Sequence, residues 1–389
     1  MLSRIGWTKW TTAGPTIEAC IAHGGRVSTP PHVCVALVSK SFPDYTAVTR
    51  SIAEYLRPTY TIGCVVDHVP GVKHGISLMT TSDERVIPFH VPDSPERHKI
   101  RNISVGRWGR QDLTGEWNQF GSVSKPSQEF RLPSTLQQQK DHPSFVFVAS
   151  DNEPDQLLHS LDHHFPQSTK IGIIGASTPF VTGKPFALFC QQEMLSAGMV
   201  GFAAYDNNMG QDISIEHPSL ETLGEPMTIT RCRGNIILDL DQAGATGLLL
   251  ELIKQGQNAR IAKDQEFYLG IYPPGTRDPS QMSVNRVTSG DPSRGNMSID
   301  TTADLQVGQI VQFMKRKPIE HPVLGTGDSI FGVVDKDHTI DTHHVAMPQE
   351  AKSLPGVFGG ASENGIIVGR PGLASSILDV PYSIARFGM

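Results

Sequence analysis

Three short segments carry polar side chains of the kind that hold a small molecule. Asp67, His68 and His74 follow the apolar run Thr61–Val66, and Ser177, Thr178 and Thr182 follow the run Lys170–Ile174. Ser362, Glu363 and Asn364 lie in a Gly-dense stretch near the C-terminus. Carboxylate, imidazole, hydroxyl and amide groups in such numbers suit a polar ligand bound by ion pairs and hydrogen bonds. Gly63 and Gly172 sit in the first two runs, where a missing side chain lets the backbone approach a ligand closely. Ligands of α/β proteins gather beyond the carboxyl ends of strands. The candidate ligand-binding set is therefore Gly63, Asp67, His68, His74, Gly172, Ser177, Thr178, Ser362, Glu363 and Asn364. The plainer alternative is that these Gly and Pro residues make tight turns whose polar groups face water, with Asn364-Gly365 closing a hairpin.

Other chemistries find less support. The run Asp335 to His344 is dense in metal-ligand types, and Asp341 and His343 would share one face of a strand. Metal sites need three or four convergent ligands, so the run reads as a solvated loop, and a metal-dependent enzyme using Asp341, His343 and His344 is an alternative. Gly172-x-x-Gly175 lacks the third glycine of a dinucleotide fingerprint and the Gly-Lys-Ser/Thr ending of a phosphate loop. Neither a G-x-S-x-G nor an H-E-x-x-H motif occurs. The sequence therefore predicts no catalytic residue, no metal and no cofactor.

The elements that must position these residues are stated twice. Thr61-Ile62-Gly63-Cys64-Val65-Val66-Asp67-His68-Val69-Pro70-Gly71 matches Lys170-Ile171-Gly172-Ile173-Ile174-Gly175-Ala176-Ser177-Thr178-Pro179-Phe180. Each copy follows an apolar strand, at 32–38 and 144–149, and an amphipathic helix, at 45–56 and 155–164. The pattern predicts an internally duplicated α/β unit whose halves enclose a cleft with polar walls. Strands are predicted at 75–79, 86–91, 186–190, 198–204, 227–232 and 235–240, and a helix at 243–255. Beyond it, strands at 267–272, 282–288, 297–301 and 310–315 predict a smaller α+β domain. The fold class is thus α/β and α+β, with the boundary near 235–260. Residues 1–14 read as a leader or as a first edge strand. Residues 107–142, rich in Gln, Ser, Gly and Pro, read as an inserted linker, in which Trp108 and Trp117 could dock a protein partner.

With 33 basic and 39 acidic residues, the chain lacks the basic excess of a nucleic-acid binder, so no nucleic-acid partner is expected. No apolar run approaches the roughly 20 residues that span a bilayer, so no membrane partner is expected either. Five scattered cysteines, never in C-x-x-C spacing, read as reduced thiols of an intracellular protein. The expected location is cytoplasmic, or mitochondrial if the N-terminus is a leader.

In their order along the chain, these segments resemble the FIST family. The resemblance rests on the duplicated strand–helix–Gly units, then Ile229 to Leu240 with Gly234-Asn235, then Gln265 to Lys317. Ser289 to Gly295, followed by Leu305-x-x-Gly308-Gln309-x-Val311-Gln312-Phe313, is similar to the family's C-terminal domain. The resemblance implies a FIST N domain over 15–235 and a FIST C domain over 236–389, as in the F-box only protein 22-like members. It also implies a non-enzymatic sensory module in signal transduction that recognises a small molecule such as an amino acid. An interaction scaffold or ubiquitin-pathway adaptor is the alternative, but no leucine-rich F-box-like segment precedes the domain. The family's late Cys-x-Gly-Arg-Gly-like motif is matched only by Ile367-Val368-Gly369-Arg370-Pro371, with no cysteine after Cys232.

Overall fold

The computed structural model describes residues 4–24, 29–94, 131–206, 212–255, 265–301, 304–319, 329–336 and 348–389. Strand accounts for 43% of the described residues and helix for 16%, so sheets decide the architecture. By contact the described residues form two compact units, one drawn from residues 4–94, 132–219 and 319–389, the other from residues 220–318.

In the first unit, Val33–Ser39 and Tyr60–Val66 pair in parallel, joined by helix Thr46–Tyr55. Phe145–Ser150 and Thr169–Ile174 pair in the same way around helix Asp155–His164. An antiparallel strand flanks the first member of each pair, Gly75–Thr81 in one case and Met199–Ala204 in the other. The two segments that look alike in sequence thus take the same local form. Each becomes the centre of its own sheet, one of seven strands and one of six.

All four parallel strands are buried nearly throughout, which is why they read as unbroken apolar runs rather than alternating ones. Cys34, Ala36 and Val38 face the helix side of the first sheet, against Ile17, Cys20, Val48 and Ile52. Val146 and Val148 do the same in the second sheet, against Leu157, Leu158 and Leu161. The other faces meet a third sheet of four strands, Ile213–Glu216, Ile384–Phe387, Ser329–Val333 and Phe358–Ser362. There Phe331 packs against Phe147 with ring centroids 6.2 Å apart, and Gly360 leaves room for Val66 and Leu37.

Several expectations need correction. Gly63 and Gly172 lie inside strands, not at their ends. A Cβ on Gly63, whose φ is +149°, would run into the Ala36 carbonyl oxygen, and one on Gly172 into the Val148 carbonyl oxygen. Both glycines let the parallel neighbour close up, a packing role and not a ligand contact. Thr8–Ala13 is flanked on both sides, by Gly75–Thr81 and Lys352–Pro355, so it is not an edge strand. The boundary near residue 235 is not where the contacts divide, because Lys352–Pro355, Phe358–Ser362 and Ile366–Gly369 join the sheets of the N-terminal half.

In the second unit, Leu220–Arg233, Ile310–Arg316, Phe267–Ile271, Ser283–Gly290, Met297–Ile299 and Ile236–Leu240 follow one another in space. The first and last of these also pair, so the sheet closes into a barrel. Its core holds Ile229, Leu240, Leu269, Val311 and Phe313, with Leu249 from helix Ala245–Gln255. Within the 107–142 stretch, Trp108 and Trp117 lie outside the described residues. Ser134–Gln137 is a short helix whose Leu136 is buried with Leu132 in the second core. No described helix is long and apolar enough to cross a membrane.

Candidate functional site

Parallel pairing sends the strands of each half in one direction, and their carboxyl ends release three of the polar segments into one place. Val33–Ser39 runs out into Lys40 and Ser41, Tyr60–Val66 into Asp67 and His68, and Thr169–Ile174 into Gly175 to Thr178. Phe358–Ser362, itself parallel to Ser329–Val333, delivers Glu363 and Asn364. The Asn364-Gly365 turn does not close a hairpin, the plainer alternative for this stretch. Phe358–Ser362 belongs to the four-stranded sheet and Ile366–Gly369 to the six-stranded one, so the turn carries the chain between layers.

Asp67 is the hub. Its backbone N–H donates to the Ala361 carbonyl (2.9 Å), which fixes the strand end against the third sheet. Its Oδ1 accepts from Lys40 Nζ at 3.3 Å, and its Oδ2 accepts the backbone N–H of Glu363 at 2.7 Å. Glu363 Oε1 lies 3.6 Å from the same Lys40 Nζ and accepts the Ser177 backbone N–H at 3.1 Å. Asn364 Nδ2 donates to the Gly175 carbonyl (2.9 Å) and to Ser177 Oγ (3.3 Å). Both halves and the C-terminal segment are therefore joined through five side chains.

Two carboxylates and one ammonium leave a formal excess of one negative charge. Asp67 is only 7% exposed and Glu363 only 9%, so water does little to offset it. Burial first, and the Glu363 charge second, push the Asp67 carboxyl up to about 6, although Lys40 pulls the other way. The neighbouring His68 is held down at about 4, mainly by burial, so it is neutral at physiological pH. A network of hydroxyls backs the cluster. Ser39 Oγ bonds Ser41 Oγ (2.9 Å) and the Asp67 carbonyl (3.4 Å), and Ser41 Oγ bonds His74 Nδ1 (2.7 Å).

Of the residues singled out from sequence, Asp67, Ser177, Ser362, Glu363 and Asn364 meet here, Ser362 Oγ accepting the Asn364 backbone N–H at 3.1 Å. His74 reaches the site only through Ser41 and Ser39, and Thr178 turns its hydroxyl onto the Lys184 carbonyl of its own loop (3.0 Å). His68 lines a neighbouring cavity of about 40 Å³ with Ala361, Val333 and Ser383. That volume suits a water molecule, not a metabolite. In the described residues these polar groups are hydrogen-bonded to one another. Lys40 escaped the sequence reading, although it directly follows a strand parallel to the one that delivers Asp67. No group of three or more His, Cys, Asp or Glu residues suited to a metal occurs among the described residues, and Asp341, His343 and His344 lie outside them.

Some open valences remain. Among the described residues Glu363 Oε2 and Asn364 Oδ1 accept no hydrogen bond, and Ser177 Oγ–H and one Lys40 proton are uncommitted.

A search of curated proteins finds no match to the chain. The FIST N domain, a sensory domain implicated in signal transduction, matches residues 32–243 and so spans both parallel-strand units along with the Lys40, Asp67 and Ser177 corners of the site. That match takes in more than half of the sequence, and the chain belongs to the FIST family.

Proposed function

We propose that this protein is a non-enzymatic sensor whose ligand is a small amino-acid-like molecule held at the Lys40–Asp67–Ser177–Glu363–Asn364 cluster. One observation carries the reading: a buried site at the carboxyl ends of the parallel strands, drawn from three distant segments, holds one more negative than positive charge. A ligand ammonium supplies the missing charge at Glu363 Oε2 and Asn364 Oδ1. A ligand carboxylate takes the free protons of Ser177 and Lys40. Because these polar groups bond one another, entry exchanges internal bonds for ligand bonds, which is how occupancy changes the protein. FIST domains act as sensory modules in signal transduction, and such an exchange gives a sensor its two states.

The same reading assigns no turnover. Among the described residues two Ser–His pairs occur, Ser41 with His74 and Ser383 with His217, each at 2.7 Å. Burial and the Arg370 charge hold His217 at about 4, too weak a base to activate a hydroxyl at neutral pH.

Thermal-shift measurements with the twenty standard amino acids and their N-acetyl derivatives test the proposal. A ligand at 100 times its Kd stabilises by about 2.7 kcal/mol. At least one free amino acid should raise the melting temperature, its N-acetyl form should not, and Glu363→Gln should abolish the shift. Absence of any shift across the panel, or equal shifts with acetylated forms, would overturn it.

A further inference from the structure

Asp67 and Glu363 flank a single ammonium, with Lys40 Nζ 3.3 Å from one carboxylate and 3.6 Å from the other. The other described groups bonded to the pair carry no positive charge, and Lys73, whose charge bears on His68, reaches Ser39 and Ser41 through its backbone carbonyl. From the strand carrying Asp67 comes His68, neutral because it is buried. From the strand before it come the Ser39 and Ser41 hydroxyls. From the helix entry comes Tyr45, whose hydroxyl donates to the Lys40 carbonyl at 2.8 Å. From the second half comes the Ser177 backbone N–H. The two acids therefore share one cation and two backbone donors, and a single further positive charge makes the site neutral.

We infer that in mildly acidic solution a proton occupies this carboxylate pair, and that a cationic ligand binds there by displacing it. The inference rests on the ligand reading above for the second step only; the proton is taken up with or without a ligand. In the empty protein that proton resides on Asp67, whose carboxyl is raised by burial and by the Glu363 charge. When a ligand ammonium enters, that proton leaves to solvent and the ammonium takes its place as counter-charge to the pair. The balance is one proton released for one cation bound. The elevated Asp67 value, about 6, places the exchange just below neutral pH. The sensor is thereby coupled to pH as well as to its ligand.

Two measurements on the full chain decide this. The first needs no ligand and follows thermal stability from pH 7.5 to 5 for the wild type and for Asp67→Asn. A carboxyl whose value is raised on folding gives stability that is full at low pH and lost as pH rises through the folded value. The wild type should gain stability relative to Asp67→Asn as pH falls from 7 to 5. Parallel curves would overturn the inference, and Glu363→Gln as a second variant guards against a folding defect in the first. The second measurement titrates the same amino-acid panel calorimetrically at several pH values and in two buffers of different ionisation enthalpy. Any amino acid that binds should release close to one proton at pH 5.5, with affinity falling about tenfold per pH unit below about 6. Binding without proton release would overturn the displacement while leaving the ligand reading intact. No binding, together with the expected stability difference, would overturn the ligand reading while leaving the proton site.

Discussion

Asn364 holds a joint that its neighbours cannot replace. Its Nδ2 bonds the Gly175 carbonyl and Ser177 Oγ in a position only 8% exposed, so truncation leaves a buried carbonyl without its donor. Asn364→Ala should cost about 1–3 kcal/mol, measurable by chemical denaturation. Lys40→Met removes the cation shared by two carboxylates while keeping most of the side-chain volume. The pair should then bind its proton still more tightly, and the pH below which the site is neutral should move upward, as seen by carboxyl NMR titration. At this scale the sequence was partly legible. Glu363 announces itself by its Gly-dense polar stretch, Ser177 by the loop after an apolar strand, and Asp67 because it directly follows one. Lys40 does so too, but a lone lysine after a strand looks like any solvated lysine until the parallel partner is known. Thr178 illustrates the opposite error, since the Pro179 and Gly183 turn around it captures its hydroxyl locally.

Strands and helices of the two parallel-strand units follow from periodicity almost residue for residue, as with Tyr60–Val66 and Asp155–His164. Apolar runs buried on both faces leave little ambiguity. Phe358–Ser362, Ile366–Gly369 and Ile384–Phe387 were not legible, because strands of four or five residues show too little periodicity and derive their order from distant partners. The glycines were seen but misread. Gly63 and Gly172 hold equivalent places in the two parallel pairs, opposite Ala36 and Val148, where each partner carbonyl occupies the space of a side chain. Gly63→Ala adds both that collision and a strained φ, and should cost about 3 kcal/mol or more. Gly172→Ala adds the collision alone and should cost less. Comparing the two variants by urea unfolding separates the contributions; equal costs would show that the Gly63 dihedral carries no strain.

Over the whole molecule, sequence order and contact order disagree. Residues after 318 return to the unit built by the N-terminal half, whereas residues 220–318 close a barrel with a core of their own. A fragment of residues 220–318 should therefore fold alone with a cooperative melt by circular dichroism, while a chain ending at Pro318 should not, since it lacks strands from all three sheets of the first unit. The same return of the chain brings Glu363 and Asn364 to the carboxyl ends of strands laid down some 200–300 residues earlier. No local pattern encodes that convergence, and the proposed sensor depends on it. Backbone amide NMR during titration with the amino acid giving the largest thermal shift tests it most directly. The Ser177 and Glu363 amides, whose acceptors are Glu363 Oε1 and Asp67 Oδ2, should move saturably and together. Saturable binding that leaves both resonances in place would contradict the account.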